Sequence, residues 1–140
     1  MRVLVVCTGN SCRSVMAEAL LNARSDGRIE AYSAGSTPAG YVHPKSLSTL
    51  DRHGVPYGEP RSQSWDEFEG QHFDVVITVC DSAAAESCPV FQGDARRIHW
   101  STPDPASAEG TDEELFAVFY DVFAQLSARV YVLLAEISPG

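Results

Sequence analysis

The chain has 140 residues, 44% hydrophobic and 21% charged, with 10 Lys plus Arg against 19 Asp plus Glu and a formal net charge of −9. That length suits one domain, residues 1–140, large enough to bury a real core, which excludes a disordered chain. The acidic balance excludes nucleic acid and an anionic bilayer surface as partners.

Arg2 to Cys7 is a short apolar, β-branched run, the pattern of a strand buried on both faces. It is too short for a signal peptide, and no apolar run in the chain exceeds six residues, so no membrane span and a cytoplasmic location are expected. Ser14 to Arg24 carries Met16, Ala17, Leu20 and Leu21 at helical spacing, and Arg28 to Ala34 reads as a second strand closed by Gly35. His43 to Arg52 is a helix with Pro44 near its start and Gly54 past its end. Ser64-Trp65-Asp66-Glu67 is a capping box opening a short helix.

Phe73 to Val79 is the strongest strand signal, and Arg97 to Trp100 a shorter one. Thr111-Asp112-Glu113-Glu114 is a second capping box with three acids in the first helical turn. From it runs a stripe of Leu115, Phe119, Val122, Leu126, Val130 and Leu133, which should face the core. The order β-α-β-α-α-β-β-α predicts an α/β fold with a small four-stranded parallel sheet and helices on both faces. Ligands of such sheets bind at the carboxyl ends of the strands. Cys7, Cys80 and the loop after Trp100 all fall there.

Cysteines stand at 7, 12, 80 and 88. In a reducing compartment they read as catalytic, metal-binding or redox-active rather than as a disulfide framework. Cys7-Thr8-Gly9-Asn10-Ser11-Cys12-Arg13-Ser14 has the form Cys-x5-Arg-Ser between a strand and a helix. A loop of that length can turn the amides of Thr8, Gly9, Asn10, Ser11, Cys12, Arg13 and Ser14 around a tetrahedral oxyanion, with the helix dipole behind them. Arg13 offers a two-pronged donor to the same anion. These groups are expected to lower the pKa of Cys7 and favour its nucleophilic thiolate. Ser14 can donate to the sulfur and Asn10 can brace the loop, while Gly9 and Asn10 tolerate the positive φ of a tight turn. The alternative is a buried cysteine before an ordinary turn. The chain contains no Gly-Lys pair, HExxH or CxxC, so neither a Walker A loop nor zinc is expected.

With Met16-Ala17-Glu18 behind it, this loop resembles that of the low-molecular-weight protein tyrosine phosphatase superfamily, which includes thiol-coupled arsenate reductases. The resemblance covers nearly the whole chain and implies that superfamily's fold, a Cys7 nucleophile and an acid in a later Asp-Pro. Asp104-Pro105 matches that acid. Two prolines, Pro103 and Pro105, stiffen the loop around it, and a departing oxygen needs its proton. Asp-Pro is also a common turn dipeptide.

Cys80 and Cys88 are separated by seven residues and can approach to disulfide distance if the segment coils or rearranges; otherwise they are two small hydrophobes. Cys80-Asp81-Ser82-Ala83-Ala84, then Cys88-Pro89-Val90-Phe91, then His99-Trp100 ahead of Asp104-Pro105, look like the arsenate-reductase branch. The resemblance implies that Cys80 attacks the Cys7–arsenic adduct, that Cys88 then displaces Cys7, and that thioredoxin or a glutaredoxin/glutathione system reduces the Cys80–Cys88 disulfide. Thioredoxin-coupled relatives usually have one residue fewer between those cysteines, and Ala where Cys12 stands here. Both donors therefore stay open, as does the resolving order. Cys12 either protects Cys7 as a disulfide or, the reading favoured here, packs beneath the loop.

Arsenate reduction leads, with phosphate and sulfate as competing oxyanions, no metal or organic cofactor, and a monomeric protein. The alternative is a tyrosine phosphatase or small phosphomonoesterase. Against it, Ala106 follows the Asp-Pro where tyrosine phosphatases carry aromatics. A non-catalytic oxyanion or redox sensor is a third reading. His43 reads as a helix start, His99 as a strand end, and Asp112, Glu113 and Glu114 as helix-start charges. Trp65 and the Phe/Tyr stripe of the last helix read as core. Arg96-Arg97 is too little for nucleic acid.

Overall fold

The computed structural model describes residues 1–79, 95–105 and 108–137. Cys80, Cys88 and Ala106 lie outside them. The elements are β1 (Arg2–Cys7), α1 (Arg13–Arg24), β2 (Glu30–Gly35), α2 (Pro44–Arg52), a 3₁₀ turn (Trp65–Phe68), β3 (Val75–Thr78), β4 (Arg96–His99) and α3 (Asp112–Ile137). The sheet is four-stranded, in the order β2-β1-β3-β4. All three pairings are parallel: Cys7 lies opposite Gly35, Val6 opposite Thr78, and Thr78 opposite His99.

β1 sits between β2 and β3, so both of its edges and both of its faces are covered. Val3, Leu4, Val5 and Val6 are accordingly fully buried, as an unbroken β-branched run requires. Along β2 the faces alternate. Ser33 Oγ donates to Glu18 of α1, while Tyr32 meets Phe68 and Phe73 on the opposite face. α1, α2 and α3 pack against one another, and the 3₁₀ turn covers part of the other face. The two capping boxes form as read. Glu67 accepts from Ser64 N at 3.2 Å, and Glu114 N donates to Thr111 Oγ1 at 3.2 Å.

One expectation for α3 needs revision. Phe119, Val122, Phe123, Leu126, Val130 and Leu133 are buried, but Tyr120 is 51% and Tyr131 76% exposed, so the tyrosines are not core. One residue is a rotation of about 100°, which carries Tyr120 off the face that Phe119 occupies. In addition, α3 is long and apolar enough by composition to cross a bilayer, and only a third of its apolar stretch is buried.

Glu18 carries a measurable consequence of this packing. Burial pushes its carboxyl up to about 7, with the Ser33 hydroxyl bond opposing. The unfolded carboxyl ionises near its ordinary value of 4.5, so the folded state holds an extra proton between there and about pH 7. Stability therefore falls as pH rises through that window and levels off above it. Glu18→Gln, which keeps an acceptor for Ser33, should be more stable than the parent by about 2 kcal/mol at pH 8. That gain should shrink toward pH 5, as read by urea unfolding at both pH values. An equal gain at both would refute the burial argument.

Candidate active site

The site is built on the carboxyl end of β1. The 8–12 loop turns its carbonyls outward, where neighbouring segments hold them. Thr37 N donates to Thr8 O at 2.9 Å, Ala39 N to Gly9 O at 2.8 Å and His43 N to Ser11 O at 3.0 Å. Ser62 Oγ and Ser46 Oγ add second bonds to Gly9 O and Ser11 O. With the carbonyls tied outside, the peptide units present their N–H edges to the interior, as an anion cradle needs. The N-terminus of α1 opens onto the same space without any side-chain cap.

Asn10 is the hinge of this loop. It takes a positive φ of 49°, is fully buried, and accepts Gln63 N at 2.8 Å through Oδ1. Its Nδ2 donates to Ser14 Oγ at 2.8 Å, and its backbone N–H donates to Cys7 Sγ at 3.0 Å. Ser14 Oγ lies 3.0 Å from the same sulfur. Asn10 Nδ2, the Ser14 hydroxyl and the Cys7 sulfur thus form one continuous chain of polar contacts. Cys7 is only 2% exposed, and here the expectation of a lowered pKa is corrected. Burial pushes the thiol up, outweighing the lowering by Ser14, the Asn10 amide and Arg13.

Arg13 reaches over the loop. Its Nη1 donates to Thr102 O at 2.9 Å, and Nη2 stands 3.9 Å from Asp104 Oδ2. The arginine side chain is 11% exposed and the aspartate 46%. Asp104 arrives there because β4 leaves the sheet beside β3. Trp100 N bonds to Thr78 O and Thr102 N to Val79 O, steering the chain back across the strand ends. The sequence-predicted Cys7, Arg13, Ser14 and Asp104 thus meet at one end of the sheet. Cys12 is a buried free thiol, and burial pushes it up as well. His43 caps α2, accepting Lys45 N at 3.1 Å, and feels the charge of Asp104, while His99 pairs with Thr78. Among the described residues no cluster of His, Cys, Asp and Glu could hold a metal ion.

Three supports escaped the sequence reading: the Thr102 carbonyl, the Gln63 amide and Gly35. Thr102 and Gln63 act through backbone atoms far along the chain, which no residue pattern announces. Gly35 did carry a signal, a glycine ending a strand. A Cβ there would stand 2.4 Å from Thr8 O and 3.1 Å from Asn10 Cβ. Gly35→Ala must therefore displace the loop, and should cost about 2–4 kcal/mol in stability and lower kcat/KM at the same time. Thermal melts with a parallel activity assay check this; a melt and activity equal to the parent's would show that the loop tolerates the shift.

The comparisons with known proteins agree with this geometry. Residues 2–139 match the family model described as Low molecular weight phosphotyrosine protein phosphatase. An arsenate reductase of Halalkalibacterium halodurans is 38% identical over 128 residues, 91% of each chain. The crystal structure of an arsenate reductase from Archaeoglobus fulgidus superposes with a TM-score of 0.75 at 32% identity, covering 95% of this chain and 98% of that one. A thioredoxin-dependent arsenate reductase of Corynebacterium glutamicum superposes at 0.72 and 25% identity, over 97% of this chain and 61% of that one. With residues 2–139 of its 140 matched by that family model, the chain belongs to the low-molecular-weight phosphotyrosine protein phosphatase family.

Proposed function

We propose that the chain reduces arsenate to arsenite in the 7–14 loop, with electrons from its own thiols. The observation that carries the reading is the preformed sulfur environment, in which Asn10 N–H and Ser14 Oγ hold Cys7 Sγ within reach of the Arg13 charge, which also faces Asp104. The Cys7 thiolate attacks arsenic(V) and forms an S–As bond. The proton that the Cys7 thiol gives up passes through Asp104 to the departing hydroxyl, which leaves as water. Arg13 and the loop amides hold the remaining oxygens. The Cys80 thiolate then attacks Cys7 Sγ, and the S–As electron pair passes to arsenic, which leaves as arsenite(III). The resulting Cys7–Cys80 disulfide is opened by Cys88, which frees Cys7 and leaves Cys80–Cys88 for an external dithiol.

The name of the Corynebacterium glutamicum relative favours thioredoxin as that dithiol; a glutaredoxin/glutathione couple is the other candidate. Phosphate and sulfate share the tetrahedral shape and charge and should compete. The test is arsenate-dependent NADPH oxidation with thioredoxin and with glutaredoxin systems in parallel. Ser replacements of Cys80 and Cys88 should stop multiple turnover, and Cys12→Ser should not. Absence of arsenate-dependent electron consumption with every donor would overturn the reading. Phosphomonoester hydrolysis is the second reading, favoured by the family model, since the loop and Asp104 serve it without Cys80 or Cys88. Faster turnover of an aryl phosphate than of arsenate would decide for it.

A further inference from the structure

His43 stands where α2 meets the oxyanion loop. Its backbone N–H donates to Ser11 O at 3.0 Å and its carbonyl accepts Ser46 N at 3.0 Å, which ties it to both. The ring is held on two sides. Nδ1 accepts Lys45 N at 3.1 Å, and the ring lies against Phe119 with centroids 5.0 Å apart. A ring nitrogen that accepts a backbone N–H carries no hydrogen, so the neutral ring has its proton on Nε2. That Nε2–H is bonded to nothing among the described residues. A helix cap uses only the acceptor nitrogen, and Asn or Ser would serve it as well.

We propose that His43 is a positioning residue for the acid of the reaction: its Nε2–H holds one carboxyl oxygen of Asp104 and turns the other toward the departing group. The role rests on Asp104 being the general acid. Asp104 stands at the same rim, where Arg13 meets it at 3.9 Å while donating to Thr102 O. Its side chain is 46% exposed and this ion pair is long, so a second partner has room to set its direction.

The charge state of the ring suits the task. The Asp104 charge reaches the ring and raises its pKa, but burial and Lys45 outweigh it, so His43 ionises below the ordinary 6.5 and is neutral at pH 7. The charged groups around it are Lys45 on its own helix, Asp104 beyond β4 and, through Lys45 at 3.2 Å, Asp112 at the start of α3. Phe119, its neighbour on α3, is uncharged. A cation such as Arg13 favours the ionised carboxylate, whereas a general acid must keep its proton until the leaving oxygen takes it. An oxyanion in the loop competes for the Arg13 donors. A neutral N–H can then orient the carboxyl without stripping its proton.

The test compares His43→Asn with the parent in the full, reduced chain. Asparagine keeps a cap for Lys45 N and removes the Nε2–H, so the thermal melt should hold. On arsenate and on phenyl phosphate, kcat should fall about tenfold with KM unchanged, part of what a general acid supplies. On dinitrophenyl phosphate, whose leaving group needs no proton, the fall should disappear. In an Asp104→Asn background the substitution should cost nothing further, since it acts through that carboxyl. Turnover equal to the parent's, an equal fall on both esters, or a full further loss in the Asp104→Asn background would each overturn the role. Ester results as expected from a chain that does not turn over arsenate would support the role and sink arsenate reduction alone. Nitrogen NMR of the imidazole reads the same contact without turnover. The His43 midpoint should lie below that of an ordinary histidine and fall further in Asp104→Asn, where the opposing carboxylate charge is gone. A midpoint unmoved by Asp104→Asn would overturn the role as well.

Discussion

Cys7→Ser should abolish arsenate-dependent electron flow, lowering kcat/KM by at least about 10⁴-fold. A serine hydroxyl is a far weaker acid and nucleophile than a thiol and can form neither the S–As bond nor the disulfide that carries the electrons away. The replacement fits the site, since an oxygen can keep the bonds to Asn10 N and Ser14 Oγ that hold the sulfur 3.0 Å away. Anion binding should therefore survive: arsenate or phosphate titrated into the variant should still raise its melting temperature, because Arg13 and the loop amides are unchanged. Lost turnover with retained binding is the expected pair. Retained turnover would place the chemistry elsewhere.

Asp104→Asn should lower kcat by about 10²–10⁴-fold with little change in KM, the range in which a general acid contributes. Asparagine matches aspartate in size, so Arg13 and the Thr102 carbonyl should hold their places. The ion pair it loses is long, at 3.9 Å, and its aspartate is 46% exposed, so stability should hardly move. The penalty should be large for arsenate, whose hydroxyl leaves only with a proton. It should shrink for an aryl phosphate with a dinitrophenolate leaving group, which needs none. Equal penalties on both substrates would show that Asp104 positions Arg13 rather than supplying the proton.

The sequence was most informative where function rests on local side chains. Cys7, Asn10, Arg13 and Ser14 lie within one strand–loop–helix, so their meeting follows from chain connectivity, and an Asp-Pro after the last strand returns to the same end of any parallel sheet. What holds the loop is another matter. Gln63 N and Thr102 O are backbone atoms brought in from 53 and 89 residues away, and their residue types say nothing about the task. The protonation of Cys7 was misjudged for a related reason. The charges that favour a thiolate can be read from sequence, but the depth of burial opposing them depends on the closed fold. The tyrosines of α3 were assigned to the core by composition, whereas their helical phase sends them outward.

A single turnover without any external reductant tests the central claim most directly. The fully reduced chain, with its four thiols, is mixed with excess arsenate under exclusion of oxygen, and arsenite and remaining thiols are counted. A three-cysteine relay starting at Cys7 predicts one arsenite released and two thiols lost per chain, with a Cys80–Cys88 disulfide found by peptide mapping. Full retention of all thiols, with no arsenite formed, would contradict it.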